Sequence, residues 1–262
     1  MQFAVVGNPI SHSCSPLLHN SAFIDLGIRG AYGRYLLDES KNFSALKELG
    51  LNGANITIPF KEVAFNNCDF VHGIAQKIGV VNTIIFKNSK LHGYNTDADG
   101  FFMSLDNEVK SALIIGAGGS SKALAHILKD NNIKITIINR SKDRLESFIK
   151  SGFESYAFED YIHTPHDAII NTTPSSLNKI LPMDKSSLQK IFESAKIAYD
   201  LLYGIESPFL RLAHTMRLKT KDGKEMLVNQ AILAFEIFMD RFCVKYDKKA
   251  LRDSMYKASL LF

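Results

Sequence analysis

Cysteine is scarce in this sequence: Cys14, Cys68 and Cys243 are the three in a chain of 262 residues. They are odd in number and far apart, which argues against a CxxC metal site and against a disulfide framework. Reduced thiols suit the cytoplasm. Long apolar runs are missing too. The first ten residues lack the basic start and apolar core of a signal peptide. The most apolar late stretch, residues 231–239, is too short to span a bilayer and carries Glu236. Charge of one sign is also lacking. The 31 Lys and Arg are nearly balanced by 27 Asp and Glu, and the formal net charge of +4 is scattered. Such a surface is too weakly basic to mark a nucleic-acid footprint, and it leaves small anionic ligands open.

What is present is an ordinary globular composition. Hydrophobic residues make up 46% and charged residues 22%, which sets disorder and low complexity aside. A chain of this length buries a large core without a disulfide or metal staple, and it suits one large domain or two moderate ones. No internal repeat is found. In the first third, residues 2–6 read as a strand, 16–25 as a helix with Pro16 at its first position, and 31–37 as a strand. Residues 43–49 read as a short helix ended by Gly50, and 53–58 as a strand stopped by Pro59. Residues 81–86 and 90–94 read as a hairpin around Asn88-Ser89. After Asp97 the pattern changes. Short apolar strands at 112–115, 134–139, 168–171 and 197–202 alternate with helical stretches, and this predicts a parallel sheet covered on both faces. From Asn229 to Phe262 the reading is helical, with Gly223 as the last strong breaker. A domain boundary is expected between Asp97 and Lys110.

The first chemical signal is Gly116-Ala117-Gly118-Gly119-Ser120-Ser121. It follows a strand and opens a helix whose apolar stripe is Ala123, Leu124, Ile127 and Leu128. Gly116 permits a tight turn, Gly118 lets backbone approach a pyrophosphate, and the helix N-terminus offers unpaired N–H groups to it. Ser121, small, stands where the fingerprint has its third glycine. The next strand ends Asn139-Arg140-Ser141-Lys142-Asp143-Arg144. It has no carboxylate at its tip to accept from a ribose 2′-hydroxyl. Arg140, with Arg144 and Lys142, can instead hold a 2′-phosphate, which selects NADP over NAD.

The second signal is polar. Ser13 and Ser15 stand just before a helix, where both can reach a carboxylate; Ser15 reads equally as a plain N-cap. His12 reads as structural. In Asn55-Ile56-Thr57-Ile58-Pro59-Phe60-Lys61, strand alternation puts Asn55 and Thr57 on one face and Ile56 and Ile58 on the other. Lys61, past the proline, can return over the same site. Asn82 is a polar residue in an apolar run, and Asp97 follows a strand. A lysine and an aspartate in one cleft supply a proton donor and the partner that orients it.

With these residues in place, the chain resembles the shikimate dehydrogenase family over nearly its full length. The matching segments, in order, are the run from Gly7 to Pro16, the run from Asn55 to Lys61, Val81-Asn82-Thr83 and Asn95-Thr96-Asp97. They continue with the run from Gly116 to Ser120, Asn139-Arg140-Ser141, Asn171-Thr172-Thr173-Pro174, the run from Asp200 to Tyr203, and Asp222-Gly223 with Gln230. The resemblance implies an α/β fold: a substrate-binding domain over residues 1–98, a Rossmann-type NADP-binding domain over 99–226, and C-terminal helices over 227–262 that return to the first domain. The cleft between domains would hold both ligands. It implies reversible NADPH-dependent reduction of 3-dehydroshikimate to shikimate, on the route to chorismate and the aromatic amino acids. Ser13 and Ser15 would bind the substrate carboxylate. Thr57, Asn82, Asp97, Tyr203 and Gln230 would surround the ring, and Lys61 with Asp97 would transfer the proton. Gly116, Ala117, Gly118, Gly119 and Ser120 would hold the pyrophosphate. Asn139, Arg140, Ser141 and Arg144 would hold the 2′-phosphate, with Leu201 and Gly223 by the nicotinamide. No metal is implied. The partners expected are small molecules, without nucleic acid or membrane, for a cytoplasmic monomer or homodimer.

Two departures stand out. The segment from Tyr203 to Pro208 is about one residue shorter than the family pattern and lacks its proline after the tyrosine. Ser176 stands where a glycine is common. A quinate/shikimate dehydrogenase that accepts NAD is the nearest alternative, and the basic tip at Arg140 argues against it. A non-catalytic dinucleotide-responsive regulator is the alternative of another class, and it would need neither Lys61 nor Asp97.

Overall fold

The structure is a computed structural model that describes residues 1–38 and 43–262. In chain order the elements are β1 (Gln2–Gly7), α1 (Ser15–Asp25), β2 (Ala31–Leu36), a 3₁₀ segment (Phe43–Leu49), β3 (Gly53–Ile56), α2 (Lys61–Asn67), β4 (Phe70–Val71), α3 (Ile74–Ile78), β5 (Thr83–Lys87), β6 (Lys90–Tyr94) and α4 (Asp97–Ser104). Then come β7 (Ser111–Ile115), α5 (Gly119–Asp130), β8 (Lys134–Asn139), a 3₁₀ turn (Lys142–Leu145), α6 (Glu146–Lys150), β9 (Glu154–Ala157), β10 (Ala168–Asn171) and a second 3₁₀ turn (Pro174–Asn178). The chain ends with α7 (Lys185–Phe192), β11 (Ile197–Asp200), α8 (Pro208–Thr215), β12 (Lys219–Lys221), α9 (Lys224–Asp240) and α10 (Lys248–Ser259). These form two compact units, residues 1–100 with 227–262, and residues 101–226.

In the first unit the strand order is β2-β1-β3-β5-β6-β4. β1 runs parallel to both β2 and β3, and β5 and β6 form an antiparallel hairpin. The hairpin turn puts Asn88 and Ser89 at φ 50° and 60°, the two consecutive positive φ values that a tight turn matched to strand twist requires. Phe3, Ala4, Val5 and Val6 of β1 are all buried, because both faces of the sheet are covered. On one face Phe3 and Val5 pack with Leu18 of α1, Phe235 and Phe238 of α9 and Met255 of α10. On the other, Val6 and Ile56 pack with Phe43, Leu46, Phe60 and Ala64.

A histidine lies inside the first of these clusters. His19 of α1 is fully buried, stacks face to face on Tyr32 of β2 at 4.2 Å and 3°, and neither ring nitrogen has a hydrogen-bond partner among the described residues. Burial pushes its pKa down to about 3, so the imidazole is neutral in the fold. The unfolded chain binds a proton at that residue below about pH 6.5. Folding is therefore disfavoured progressively as pH falls from there toward 3, by up to about 1.4 kcal/mol per unit. His19→Phe keeps an aromatic ring in the stack and removes the titration. Urea unfolding at about pH 7 and about pH 5 should show wild type losing about 2 kcal/mol more between the two than the variant does. Equal losses would contradict this account of the core.

The second unit carries one parallel sheet in the order β12-β11-β10-β7-β8-β9. The chain starts in the middle, winds outward to β9, then returns to β10 and winds the other way. That doubly wound order leaves a crevice outside the carboxyl ends of β7 and β10, where ligands bind in such sheets. Leu113, Ile115, Ile138 and Ile169 cover one face together with Leu188 and Phe192 of α7 and Phe209 of α8.

Several boundaries differ from those read in the sequence. Residues 43–49 form a 3₁₀ segment rather than an α-helix. The strand expected over 53–58 ends at Ile56; beyond it Ile58 gives its carbonyl to Asn8 N–H and its side chain is 71% exposed, so it does not share the burial of Ile56. The strand expected over 197–202 ends at Asp200, whose carboxylate turns the chain by accepting from Leu202 N–H. The helical C-terminus is two helices. The break is set by Cys243 at φ 53°, with Val244 N–H closing onto Met239, and by Asp247, which caps Lys249 and Ala250. α9 also starts earlier than Asn229, at Lys224. Among the described residues no helix is long and apolar enough to cross a membrane.

Candidate active site

Lys61 is the first residue of α2, immediately after the break at Pro59. Buried Phe60 anchors the turn, and Lys61 C=O accepts from Val81 N–H just before β5, so the backbone of the lysine is tied to the sheet. Asp97 opens α4, and Asn95 accepts from Ala98 N–H in its first turn. The Lys61 Nζ to Asp97 Oδ2 distance is 2.6 Å, with the side chains 23% and 15% exposed. This is a shielded ion pair still open to a ligand: an ammonium held by a carboxylate, with N–H groups left for a third partner.

Ser13 and Ser15 are both buried, and Ser13 Oγ donates to Ser15 Oγ at 3.3 Å. Ser15 is not the N-cap. The helix includes it, Cys14 takes the cap position without a side-chain bond, and Ser13 Oγ accepts from Ser15 N–H. The serine hydroxyls are thus not spent on capping the helix interior. His12 is exposed. Asn82 sits just before β5 and reaches Thr96, the residue before α4. Its Oδ1 accepts from Thr96 N–H at 2.8 Å and its Nδ2 donates to Thr96 Oγ1 at 3.0 Å. Gln230 of α9 approaches the same threonine, with 3.5 Å between Gln230 Oε1 and Thr96 Oγ1. Thr57 lies past the end of β3 against Gly7, where a Cβ would stand 2.4 Å from the threonine methyl. The residues Asn55, Thr83 and Thr96, none singled out as ligands by the sequence, complete one buried polar cluster with Asn82. Thr83 reads in sequence as an ordinary β-branched strand residue, so its hydroxyl carried no signal.

In the second unit, Gly116 follows β7 with φ +115°, and a Cβ there would stand 2.4 Å from Thr172 Oγ1 after β10. Only glycine fits that turn. Gly118 meets open space on the side where its Cβ would be, which suits close approach by an anion to the first turn of α5. Ser121 does more than save space: its hydroxyl accepts from Gly118 N–H at 3.2 Å and bonds Thr172 Oγ1 at 2.7 Å, cross-bracing the turn. At the tip of β8, Asn139 Nδ2 donates to Ser141 C=O. Arg140 and Arg144 are exposed and form no ion pair among the described residues. Lys142 departs from expectation. Its ammonium is taken by Glu159 and Asp160, at 3.5 and 3.0 Å, and it is not part of a free basic tip. These features fit a phosphorylated dinucleotide: a glycine turn at the crevice, and two guanidinium groups just past the end of the neighbouring strand with no ion pair among the described residues.

The loop after β11 is built around Asp200, fully buried, whose carboxylate accepts from Ser176, Ser207, Asn171 and Leu202 N–H. Ser176, read in the sequence as a departure, therefore has a role: with Ser207 it holds the Asp200 carboxylate at the start of the segment that carries Tyr203. Gly223 approaches Leu201 so closely that a Cβ would stand 2.0 Å from the Leu201 carbonyl oxygen. Among the described residues no group of three metal-ligating side chains gathers.

Comparison with known proteins gives the same picture from another direction. The family model described as shikimate dehydrogenase substrate binding domain matches residues 5–84, and that described as shikimate / quinate 5-dehydrogenase matches residues 74–197. The chain is 51% identical to the shikimate dehydrogenase (NADP(+)) of Helicobacter hepaticus over 94% of its length and 92% of the relative's. It is 48% identical to the enzyme of that name from Helicobacter pylori, over 90% of this chain and 91% of that one. Among solved structures, shikimate dehydrogenase 1 from Peptoclostridium difficile superposes with a TM-score of 0.83 at 34% identity, covering 99% and 98% of the two chains. Shikimate 5-dehydrogenase from Thermus thermophilus, solved with NADP(H) and shikimate, superposes at 0.84 with 29% identity, covering 98% and 99%. Fold, motif order and half-identical relatives along almost the whole chain converge on one statement: this protein belongs to the shikimate dehydrogenase family.

Proposed function

We propose that this chain catalyses the reversible NADPH-dependent reduction of 3-dehydroshikimate to shikimate, with Lys61 as proton donor and Asp97 as its orienting partner. The observation that carries the assignment of roles is the 2.6 Å contact between Lys61 and Asp97 in a family whose curated members are NADP-dependent shikimate dehydrogenases. NADPH, when bound, would supply a hydride for the C3 carbonyl carbon. The chain's own residues manage everything else. Lys61 stands beside the carbonyl oxygen, stabilises the negative charge that grows there, and gives it a proton; in the oxidation direction the neutral amine takes that proton back. Ser13 and Ser15 receive the ring carboxylate through their hydroxyls. Thr57, Asn82, Asp97, Tyr203 and Gln230 match the ring hydroxyls with donors and acceptors, so an analogue that lacks a hydroxyl leaves buried polar atoms unpaired.

The residues at the tip of β8 would hold the 2′-phosphate: Arg140 and Arg144 by charge, Ser141 by its hydroxyl, with Asn139 ordering the tip. Gly116, Ala117, Gly118, Gly119 and Ser120 would pass the pyrophosphate to the start of α5, and Leu201 and Gly223 would border the nicotinamide. The three cysteines are free thiols, which fits a reducing cytoplasm. A weak, scattered charge fits work on small molecules rather than on nucleic acid or membrane. The test is an absorbance assay of cofactor reduction with shikimate and NADP, then with quinate and with NAD. Turnover with shikimate and NADP far above the other three pairings is expected. Quinate or NAD turning over equally well would make the enzyme a relaxed quinate/shikimate dehydrogenase, and no turnover with any pair would point to a non-catalytic role.

A further inference from the structure

Two helices of the first unit meet backbone to backbone at the edge of the polar cluster. Gly100 lies in the middle of α4, one turn after Asp97 and on the same face. A Cβ there would stand 2.7 Å from Gln230 N, 2.8 Å from Gln230 Cβ and 3.0 Å from Gln230 Cα in α9. The requirement is steric, because the φ of Gly100 is not positive. Glycine is a poor residue for a helix interior and alanine the best. The neighbour therefore keeps glycine at this position, and the neighbour is backbone that no rotamer change can clear.

Asn229 closes the same crossing from beside. Its side chain is buried, with Nδ2 donating to Gly100 C=O at 3.3 Å and Oδ1 accepting from the Tyr256 phenol of α10 at 2.8 Å. A carbonyl only accepts, so the amide has one orientation and the phenol must donate. Gln230, next in sequence, is buried too. Its Nε2 donates to Leu227 C=O at 2.9 Å, which again leaves one orientation: Oε1 is the end turned to Thr96 Oγ1, 3.5 Å away. The crossing thus sets where the acceptor end of Gln230 stands beside Thr96 and Asn82.

The first turn of α4 is the firmer side. Asn95 accepts from Ala98 N–H and donates to Val80 C=O, Asn82 accepts from Thr96 N–H, and Asp97 is paired with Lys61. We propose that Gly100 and Asn229 are positioning residues for substrate binding, fixing the crossing of α4 and α9 at the distance that puts Gln230 Oε1 in reach of one ring hydroxyl. Both act through Gln230, and the proposal rests on the assignment of Gln230 to a ring hydroxyl. A methyl added at residue 100 is accommodated by displacing α9 at Gln230, while Asp97 stays with Lys61.

The experiment measures calorimetric dissociation constants for shikimate and its 3-, 4- and 5-deoxy analogues, without cofactor so that no turnover intervenes, on wild type, Gln230→Ala, Gly100→Ala and the double variant. Gln230→Ala identifies the hydroxyl that the glutamine serves: for that analogue alone, the preference for shikimate should vanish. Gly100→Ala should weaken shikimate about three- to tenfold, the scale of one lost neutral hydrogen bond. It should lose the preference at the same hydroxyl and keep the other two preferences within about twofold of wild type. The double variant should bind shikimate little worse than Gln230→Ala does. A wild-type pattern in Gly100→Ala, an equal weakening of all four ligands as a merely loosened fold would give, or fully multiplicative effects would overturn the proposal and leave the role of Gln230 standing. If Gln230→Ala keeps the wild-type preference at all three hydroxyls, the assignment of Gln230 fails and the proposal falls with it. Should Gly100→Ala not fold, Asn229→Ala releases the crossing without adding bulk; it should show the same selective loss, and wild-type preferences there overturn the proposal equally.

Discussion

Lys61→Ala should lower kcat by roughly 10²-fold or more, and the dissociation constant for shikimate should rise far less. General acid–base groups contribute about 10²- to 10⁴-fold when they act in the transition state. In the proposed mechanism lysine would do two things at once: neutralise the oxyanion as it forms and supply its proton. Alanine removes both. It also leaves Asp97, held 2.6 Å from the ammonium in the wild-type enzyme, facing the same oxygen with no cation between them. In the same proposal substrate affinity would depend mainly on groups that the variant keeps, the serines on the carboxylate and Asn82 on the ring. Steady-state rates and calorimetric binding on purified, folded variant make the comparison. Asp97→Asn is the companion: it keeps the shape of the acceptor without its charge, so the lysine stays in place but is held less firmly, and the loss of kcat should be smaller than for Lys61→Ala. Wild-type turnover in Lys61→Ala would move the proton donor elsewhere and remove the central assignment.

The parts of this molecule that were readable in its sequence are those in which one local rule dominates. Gly116 stands in a strand-turn-helix context that needs a positive φ, and the structure gives it φ +115°. The apolar strands of the second unit announced a parallel sheet because strands covered on both faces carry no polar alternation. The Asn88-Ser89 turn was readable from its short spacing between two strands. Other features depend on residues far apart. Lys61 and Asp97 are 36 residues apart, and neither periodicity nor spacing joins them; the resemblance to a family did. Tyr32 and Asn55 are 23 apart, and nothing in the two strands they read as marked the phenol as a donor to that amide. Strands of two to four residues, β4, β9 and β12, are too short to carry a period. Ser176 looked like a departure that would disturb a loop. Its hydroxyl instead donates to Asp200 beside Ser207, a compensation that only the folded neighbourhood makes visible.

The same contrast between charge counted in sequence and charge available in the fold decides the cofactor. Arg140→Ala should weaken NADPH roughly 10- to 100-fold and NADH by little, because a guanidinium on a phosphate makes charge-assisted, paired hydrogen bonds worth more than neutral ones. The sequence puts Arg140 first, with Arg144 and then Lys142 beside it in one basic tip. The fold divides them: Lys142 is committed to Glu159 and Asp160, whereas Arg140 and Arg144 carry no ion pair among the described residues. Lys142→Ala should therefore leave the KM for both cofactors near the wild-type value, and Arg144→Ala should share the selectivity of Arg140→Ala. The preference of the wild-type enzyme follows from the same tip. With no carboxylate there to accept from a ribose 2′-hydroxyl, NADH has nothing in particular to lose when an arginine is removed. KM for each cofactor at saturating substrate, across the three variants, resolves the roles. Equal losses of NADPH and NADH in Arg140→Ala would mean that the arginine serves the pyrophosphate or the fold, and the 2′-phosphate would then have to be held by another group.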